Sequence, residues 1–445
     1  MSLAAPSSTP SSAPVRRGPH RAWYVAIVTF IALIGAAGFR SVPSVLMEPL
    51  NREFGWSHGT IGAAVSINLL LFGLFSPFAA ALMDRFGVRR VVAIALSLIA
   101  VGSGLTVFMT SAWQLLLLWG VVIGLGTGSI SMAFMATVVS RWFIARRGLV
   151  SGILTAAGAT GQLIFLPLVA HLAMSYGWRV PALTVSAAAL LVVPLVIVLL
   201  RDHPHDVGVE AYGATDAEPT PPRSVASGSS ARRALVVLRD AARTRTFWFL
   251  AAGFAICGAS TNGLIGTHFV PAAHDHGMPA TTAAGLLALI GVFDIGGTVL
   301  SGWLTDRVDS RVLLVVYYTL RGGSLLLLPS LLAPTTEPPI WAFIIFYGLD
   351  WVATVPPTVA ICRQQFGERG PIVFGWVFAS HQIGAAIAAV GAGVIRDVSG
   401  AYTLAFVISG GLCFGAAVMS YLIRKPATSA DRAGRSASDD RVEIP

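Results

Sequence analysis

This chain has little charge, almost no lysine and few cysteines. Charged residues make up 11% of its 445 positions, against about 25% in a soluble globular domain. So few charges cannot cover a water-facing surface, which excludes an ordinary soluble protein. Lys425 is the one lysine beside 29 arginines, a bias that fits a GC-rich bacterial genome. Cys257, Cys362 and Cys413 are an odd number with no metal-ligand spacing. They argue against a disulfide framework and read as small apolar packing residues. Also missing are a phosphate-binding Gly-rich motif, a domain large enough for an ATPase, and any legible nucleophile–base or metal constellation. Enzyme chemistry and ATP-driven pumping are therefore not expected, and no cofactor, metal or nucleic acid is implied.

Apolar surface fills the gap. The chain is 55% hydrophobic with a mean hydropathy of +0.74. A bilayer core needs about 20 apolar residues per helix. Twelve runs qualify: 23–47, 60–83, 90–109, 113–140, 148–174, 179–200, 246–270, 281–303, 312–333, 339–362, 371–395 and 401–423. The expected organisation is all-α. Residues 1–22 form a disordered tail, 23–200 a six-helix bundle, 201–245 a polar and partly disordered linker, 246–424 a second six-helix bundle, and 425–445 another disordered tail. The first run is too long for a signal-peptide core and is kept as a span. The +9 net charge is not spread as in a nucleic-acid binder. With the N-terminus inside, 25 of the 30 basic residues fall in inside segments, 3 in outside loops and 2 within spans. By the positive-inside rule both termini and the linker are cytoplasmic.

The polar punctuation repeats at an offset of 222 residues. Asp84-Arg85 returns as Asp306-Arg307, and Arg141, Arg147 and Gly148 return as Arg363, Arg369 and Gly370. A parallel repeat of six helices is a transporter architecture with its site between the halves. The loop after span 2 reads Asp84-Arg85-Phe86-Gly87-Val88-Arg89-Arg90, and that after span 8 reads Gly302-Trp303-Leu304-Thr305-Asp306-Arg307. A carboxylate at a helix end followed by arginine can clamp helices together and gate access. These two loops resemble the G-x-x-x-D-R-x-G-R-R loop of the major facilitator superfamily, with Ala80 where the family usually has glycine. Arg146-Arg147-Gly148 between spans 4 and 5, and Glu53-Phe54-Gly55-Trp56-Ser57 after span 1, resemble the bacterial monocarboxylate-porter branch. The paired glycines of the drug/proton antiporter signature in span 5 are absent.

Charges inside the spans point to the chemistry, because each is costly unless it faces a cavity or a partner. Arg40 lies in span 1, Asp294 in span 8, Arg321 in span 9 and Asp350 in span 10. At 1.5 Å per residue, the last three cluster near the midplane with His381 of span 11. Arg40 reads either as a planar fork for a carboxylate, with the helix beside it loosened by Pro43, or as a side chain reaching the outer interface. Asp350 precedes Pro356-Pro357, which should break span 10. Arg321 reads either as a substrate contact or as the buried partner of Asp294 or Asp350. Asn68 and Gln162 either line the pathway or bond between helices. His268, His274 and His276 read as a solvated loop.

The resemblance implies more. In the monocarboxylate branch span 8 carries a proton-coupling Asp followed one turn later by an anion-binding Arg. Asp294 matches the first, whereas Thr298 stands at the second. The resulting expectation is a monomeric secondary transporter in a bacterial inner membrane. It would move a small organic anion with a proton, using Arg40, Asp350, Arg321, Asn68 and Gln162 for substrate. Asp294 and His381 would carry the proton, and Asp84, Arg85, Arg89, Arg90, Asp306 and Arg307 would form the gating loops. The alternative is an exporter of an amphiphilic metabolite or drug.

Overall fold

The structure is a computed structural model that describes residues 20–40, 42–56, 58–222 and 229–424. The side chains of 40, 42–45, 48, 58–59 and 280–281 lie outside that description, as do the two expected tails over 1–19 and 425–445. The fold is all-α. Its crossing segments include Arg21–Phe39, Val88–Phe108, Ala112–Trp142, Arg147–Tyr176, Arg179–Leu199, Arg245–Asp275, Thr282–Thr305, Ser310–Leu331 and Thr403–Tyr421. Span 2 is the pair Thr60–Leu74 and Ser76–Phe86, bent by 53°. The 62-residue stretch Pro338–Ser399 is about 90 Å of helix. It turns back at Gly367, where φ is +57°, and so makes spans 10 and 11. This gives twelve crossings in two bundles of six.

The repeat holds in register, irregularities included. Spans 5 and 11 are Arg147–Tyr176 and Gly370–Ser399, the same window to within one residue of the 222-residue offset. Span 4 breaks at Ile130 and Ser131, and span 10 breaks over 351–354, again the same positions. Span 7 runs as a π-helix over Ala259–Ile265. Loosened backbone at equivalent depths of both halves is what a hinge level needs.

The halves touch from the linker face inward to mid-span. Spans 5 and 8 cross with no side chain between them: a Cβ on Gly152 would meet Gly302 Cα at 3.0 Å. Spans 2 and 11 cross where a Cβ on Gly375 would lie 2.7 Å from Pro77 Cα. That crossing takes its glycine from span 11, so Ala80 is accommodated, buried at 1% exposure. Deeper in, Phe72 meets Phe378 edge-on at 5.2 Å.

The linker is folded over its described residues. Ser230–Ala241 is a helix, and Tyr212 forms a β-bridge with Phe143. Tyr212 also packs edge-on against Trp23. The polar composition of 201–245 hides this because its partners lie on the two bundles.

Candidate functional site

The site is built around the broken tenth span. Pro356 and Pro357 sit in the first turn of its lower half, Val355–Phe366, where a missing N–H costs least. The upper half, Pro338–Asp350, therefore ends with unpaired carbonyls. Several of the groups freed by the break find partners. Ser301 Oγ donates to the Ala353 carbonyl at 2.5 Å, the carbonyl that Pro357 leaves without an N–H. Val355 N donates to the Val352 carbonyl at 3.0 Å. Asp294 Oδ1 accepts from Val352 N at 3.1 Å and from Thr298 Oγ1 at 2.8 Å. Arg321 donates to the carbonyls of Asp350 and Trp351.

Arg321 is wholly buried and its donors are engaged. Nε meets Asp350 Oδ2 at 2.6 Å, and Nη1 meets Cys257 Sγ at 3.0 Å. Of the partners weighed for Arg321, the ion pair goes to Asp350; among the described residues Asp294 has no ion pair. Asp350 Oδ1 is buried without a hydrogen-bond partner among them. In this conformation Arg321 and Asp350 are held by each other, so neither presents a free charge to a substrate. Cys257 is more than a packing residue, since its sulfur also lies 3.3 Å from Thr354 Oγ1.

The remaining candidates disperse. His381 lies between Phe254, at 5.1 Å, and Phe378, at 5.9 Å, on spans 7 and 11. Asn68 bonds between helices, donating to the Trp119 carbonyl at 2.8 Å inside the π-helix Leu116–Ile123 of span 4. Tyr347 does the same for Ser260 in the π-helix of span 7, at 2.9 Å. Gln162 is exposed on span 5, one turn beyond Gly158, which lines a cavity of about 30 Å³ with Thr155, Ser131 and Phe72. The Thr155 hydroxyl is buried there with no partner among the described residues, a feature that an isolated threonine in an apolar run does not announce. Arg40 lies in span 1, and its side chain lies outside the description. The histidines of span 7 correct an expectation. The helix runs on to Asp275, so His268 is buried and bonds the Ala389 carbonyl at 2.8 Å instead of sitting in solvent. Among the described residues no group of three metal-capable side chains forms.

At the linker face the loop residues divide the work differently from the expected clamp. Asp84 pairs with Arg141 at 2.7 Å and with Arg233 of the linker helix at 3.0 Å. Arg85 stacks on Phe86, 4.9 Å from the ring centre. Arg89 N donates to Asp202 at 2.8 Å, in space that a side chain on Gly87 would fill, while Arg90 is exposed. Asp306 crosses between the halves and accepts from the N–H groups of Gly148 at 2.6 Å and Leu149 at 2.9 Å. It thus caps span 5, where an anion is favoured. Arg146, with φ +59°, makes the turn that leads into those amides. The equivalent of Leu149 is Pro371, which has no N–H, so the symmetric cap cannot form. Linker Glu218 bridges the halves instead, meeting Arg147 at 2.6 Å and Arg363 at 3.1 Å. Burial raises its carboxyl, but these two arginines prevail and hold it below the usual range. A cavity of about 270 Å³ lies beneath the linker, lined by Asp84, Arg141, His203 and Arg363.

Twelve apolar helices in two repeated bundles, with charged loops at one face and buried charges at mid-depth, define a membrane transporter. The family is given by comparison: the Major Facilitator Superfamily model matches residues 26–372, and the chain belongs to that superfamily. It is 28% identical over 397 residues to the uncharacterized MFS-type transporter YcxA of Bacillus subtilis (strain 168), covering 88% of this chain and 92% of that protein. It is 31% identical over 355 residues to monocarboxylate transporter 13 of Bos taurus, covering 78% and 76%. Two solved structures share the fold. The E. coli fucose:proton symporter FucP has a TM-score of 0.64 at 18% identity, over 90% of this chain and all of that one. The human organic anion transporter MFSD10 has a TM-score of 0.67 at 16% identity, over the same shares. The chain is thus a multi-pass membrane transporter of small organic solutes resembling the monocarboxylate branch, and not an enzyme.

Proposed function

We propose that the protein is a proton-coupled symporter of a small monocarboxylate-like anion. It works as a monomer by alternating access in a bacterial inner membrane, with the linker face cytoplasmic. The observation that carries this reading is Asp294. Its carboxyl is 3% exposed and is held by a hydroxyl and a backbone N–H, not by an ion pair. A charge so placed is costly, and binding a proton removes the cost. The relatives named as monocarboxylate transporters support the anion, and the 25-to-3 division of basic residues supports the sidedness.

With Arg321 engaged by Asp350, the cation assigned to the substrate carboxylate is Arg40 of span 1. Asn68 is placed as a structural tie and Gln162 on the pathway face of span 5. His381 is a secondary proton group between its two phenylalanines. One proton crossing with one monocarboxylate moves no net charge, so the pH gradient drives uptake, with about tenfold accumulation per pH unit. The test is uptake of labelled lactate and pyruvate into proteoliposomes with and without an inward proton gradient. Accumulation above equilibrium only with the gradient is expected. Movement of neutral or cationic solutes but of no organic anion rejects the substrate class.

A further inference from the structure

The ends of the broken tenth span are held by opposite charges from two neighbouring helices. Arg321 of span 9 reaches the carbonyls of Asp350 and Trp351, where the upper half stops. Asp294 of span 8 holds Val352 N, just before the lower half begins. A cation at a helix C-terminus and an anion at a helix N-terminus each favour the local dipole. The upper half is anchored, because it packs on span 8 through Gly297, whose missing side chain admits the Leu349 carbonyl. The lower half, Val355–Phe366, packs on spans 5, 8, 9 and 11. It runs from the break to Arg363, which Glu218 holds at the linker face.

We infer that Arg321 and Asp294 are positioning residues for transport. Arg321 fixes the stationary end of the break, and the Asp294 carboxylate fixes the moving end, so that a proton on Asp294 releases the lower half of span 10. The release follows from hydrogen-bond strength, since an N–H bond to a carboxylate is about twice as strong as one to a neutral acceptor. The charged groups acting on Asp294 are Arg321 of span 9 and Asp350 of span 10. Span 5 meets span 8 beside Thr298 through Gly152. The other titratable groups around the break are Cys257 of span 7, Tyr317 and Tyr318 of span 9, Tyr347 of span 10 and Cys413 of span 12. This inference rests on the proton-coupled reading for its trigger, while the two-ended support of the break stands on the contacts alone.

The test is hydrogen–deuterium exchange of residues 350–366 in the full-length protein in lipid nanodiscs. Rates at pH 7.5 and 6.0 are corrected for intrinsic exchange and read beside the transport kinetics. In the wild type, exchange is expected to be about tenfold faster at pH 6.0, the change that one charge-assisted bond supports. Asp294→Asn should exchange rapidly at both pH values. Arg321→Lys keeps the charge but loses the fork to two carbonyls. It should loosen the break at both pH values and lower Vmax severalfold with KM changed by less than threefold. A KM increase at constant Vmax would instead make Arg321 a substrate ligand and overturn its positioning role. The double variant Arg321→Met with Asp350→Leu removes both members of the pair and strands neither, so it reads the loosened break in a folded protein. Unchanged exchange over 350–366 in Asp294→Asn and in the double variant overturns the inference. If Asp294→Asn uncouples transport from protons without loosening the break, the hinge fails and symport stands. If it loosens the break but the wild type shows neither proton movement nor a pH response, the trigger and the symport reading fail together.

Discussion

The crossing of spans 5 and 8 allows a quantitative prediction. In Gly302→Ala the added carbon would lie 2.8 Å from Gly152 Cα and 2.9 Å from Gly152 N, and would overlap the Gly148 carbonyl. Carbon atoms rest at about 3.5–4.0 Å, so the two spans must part by roughly 1 Å. That movement stretches the bonds from Gly148 and Leu149 to Asp306, now 2.6 and 2.9 Å, to the limit of hydrogen bonding. Overpacking costs about 1–3 kcal/mol and a weakened cap about 1 kcal/mol more. The sum, about 2–4 kcal/mol, is a shift of roughly 30- to 1,000-fold. It falls on the conformation closed at the linker face, because the contact lies between the bundles and inside neither. The assay is labelling of Ser140→Cys, in the cavity beneath the linker, by a membrane-impermeant maleimide applied from the linker face. The native cysteines are buried and do not compete. Labelling should accelerate at least tenfold while the melting temperature stays close to that of the wild type. Gly291→Ala on the same helix, where an added carbon meets nothing within 4 Å, is the control. Equal labelling in the two alanine variants refutes the argument.

Three further outcomes are expected. Glu218→Gln should favour opening at the linker face, seen as a change in single-molecule energy transfer across that face. Because the Glu218 carboxyl is held below its ordinary value, its contribution is complete above the ordinary carboxylate range and fades only as pH falls through that range and below it. The change should therefore be the same at pH 6 and pH 8. Asn68→Leu strands the Trp119 carbonyl in the π-helix of span 4, a loss of about 1–3 kcal/mol read as a lower melting temperature. Arg146→Gly removes the penalty of a left-handed residue at φ +59° and should stabilise the fold by about 1 kcal/mol.

The bilayer makes most of this architecture readable from sequence. It permits little but helices of a fixed length, so apolar runs mark the spans and the 222-residue offset marks the repeat. Asp294, Arg321 and Asp350 were visible for the same reason, as charges in apolar runs. Which of them pair was not visible, since that depends on the exposed ends of span 10, and only the Pro356-Pro357 step hinted at the break. The Asp-Arg loops pointed to a clamp between helices without naming its partners, since Arg141 of span 4, which pairs with Asp84, lies 57 residues away. Glu218 and Arg233 gave no signal, because each is one charge in a polar stretch whose partners are far away in sequence.

The most direct test of the central claim is proton movement itself. Proteoliposomes in weakly buffered medium, without an imposed gradient, are given pyruvate while external pH is recorded. The account predicts prompt alkalinisation with the wild type. Asp294→Asn should give none, although it still exchanges labelled for unlabelled pyruvate. Pyruvate uptake without alkalinisation in the wild type, or full alkalinisation in Asp294→Asn, would contradict it.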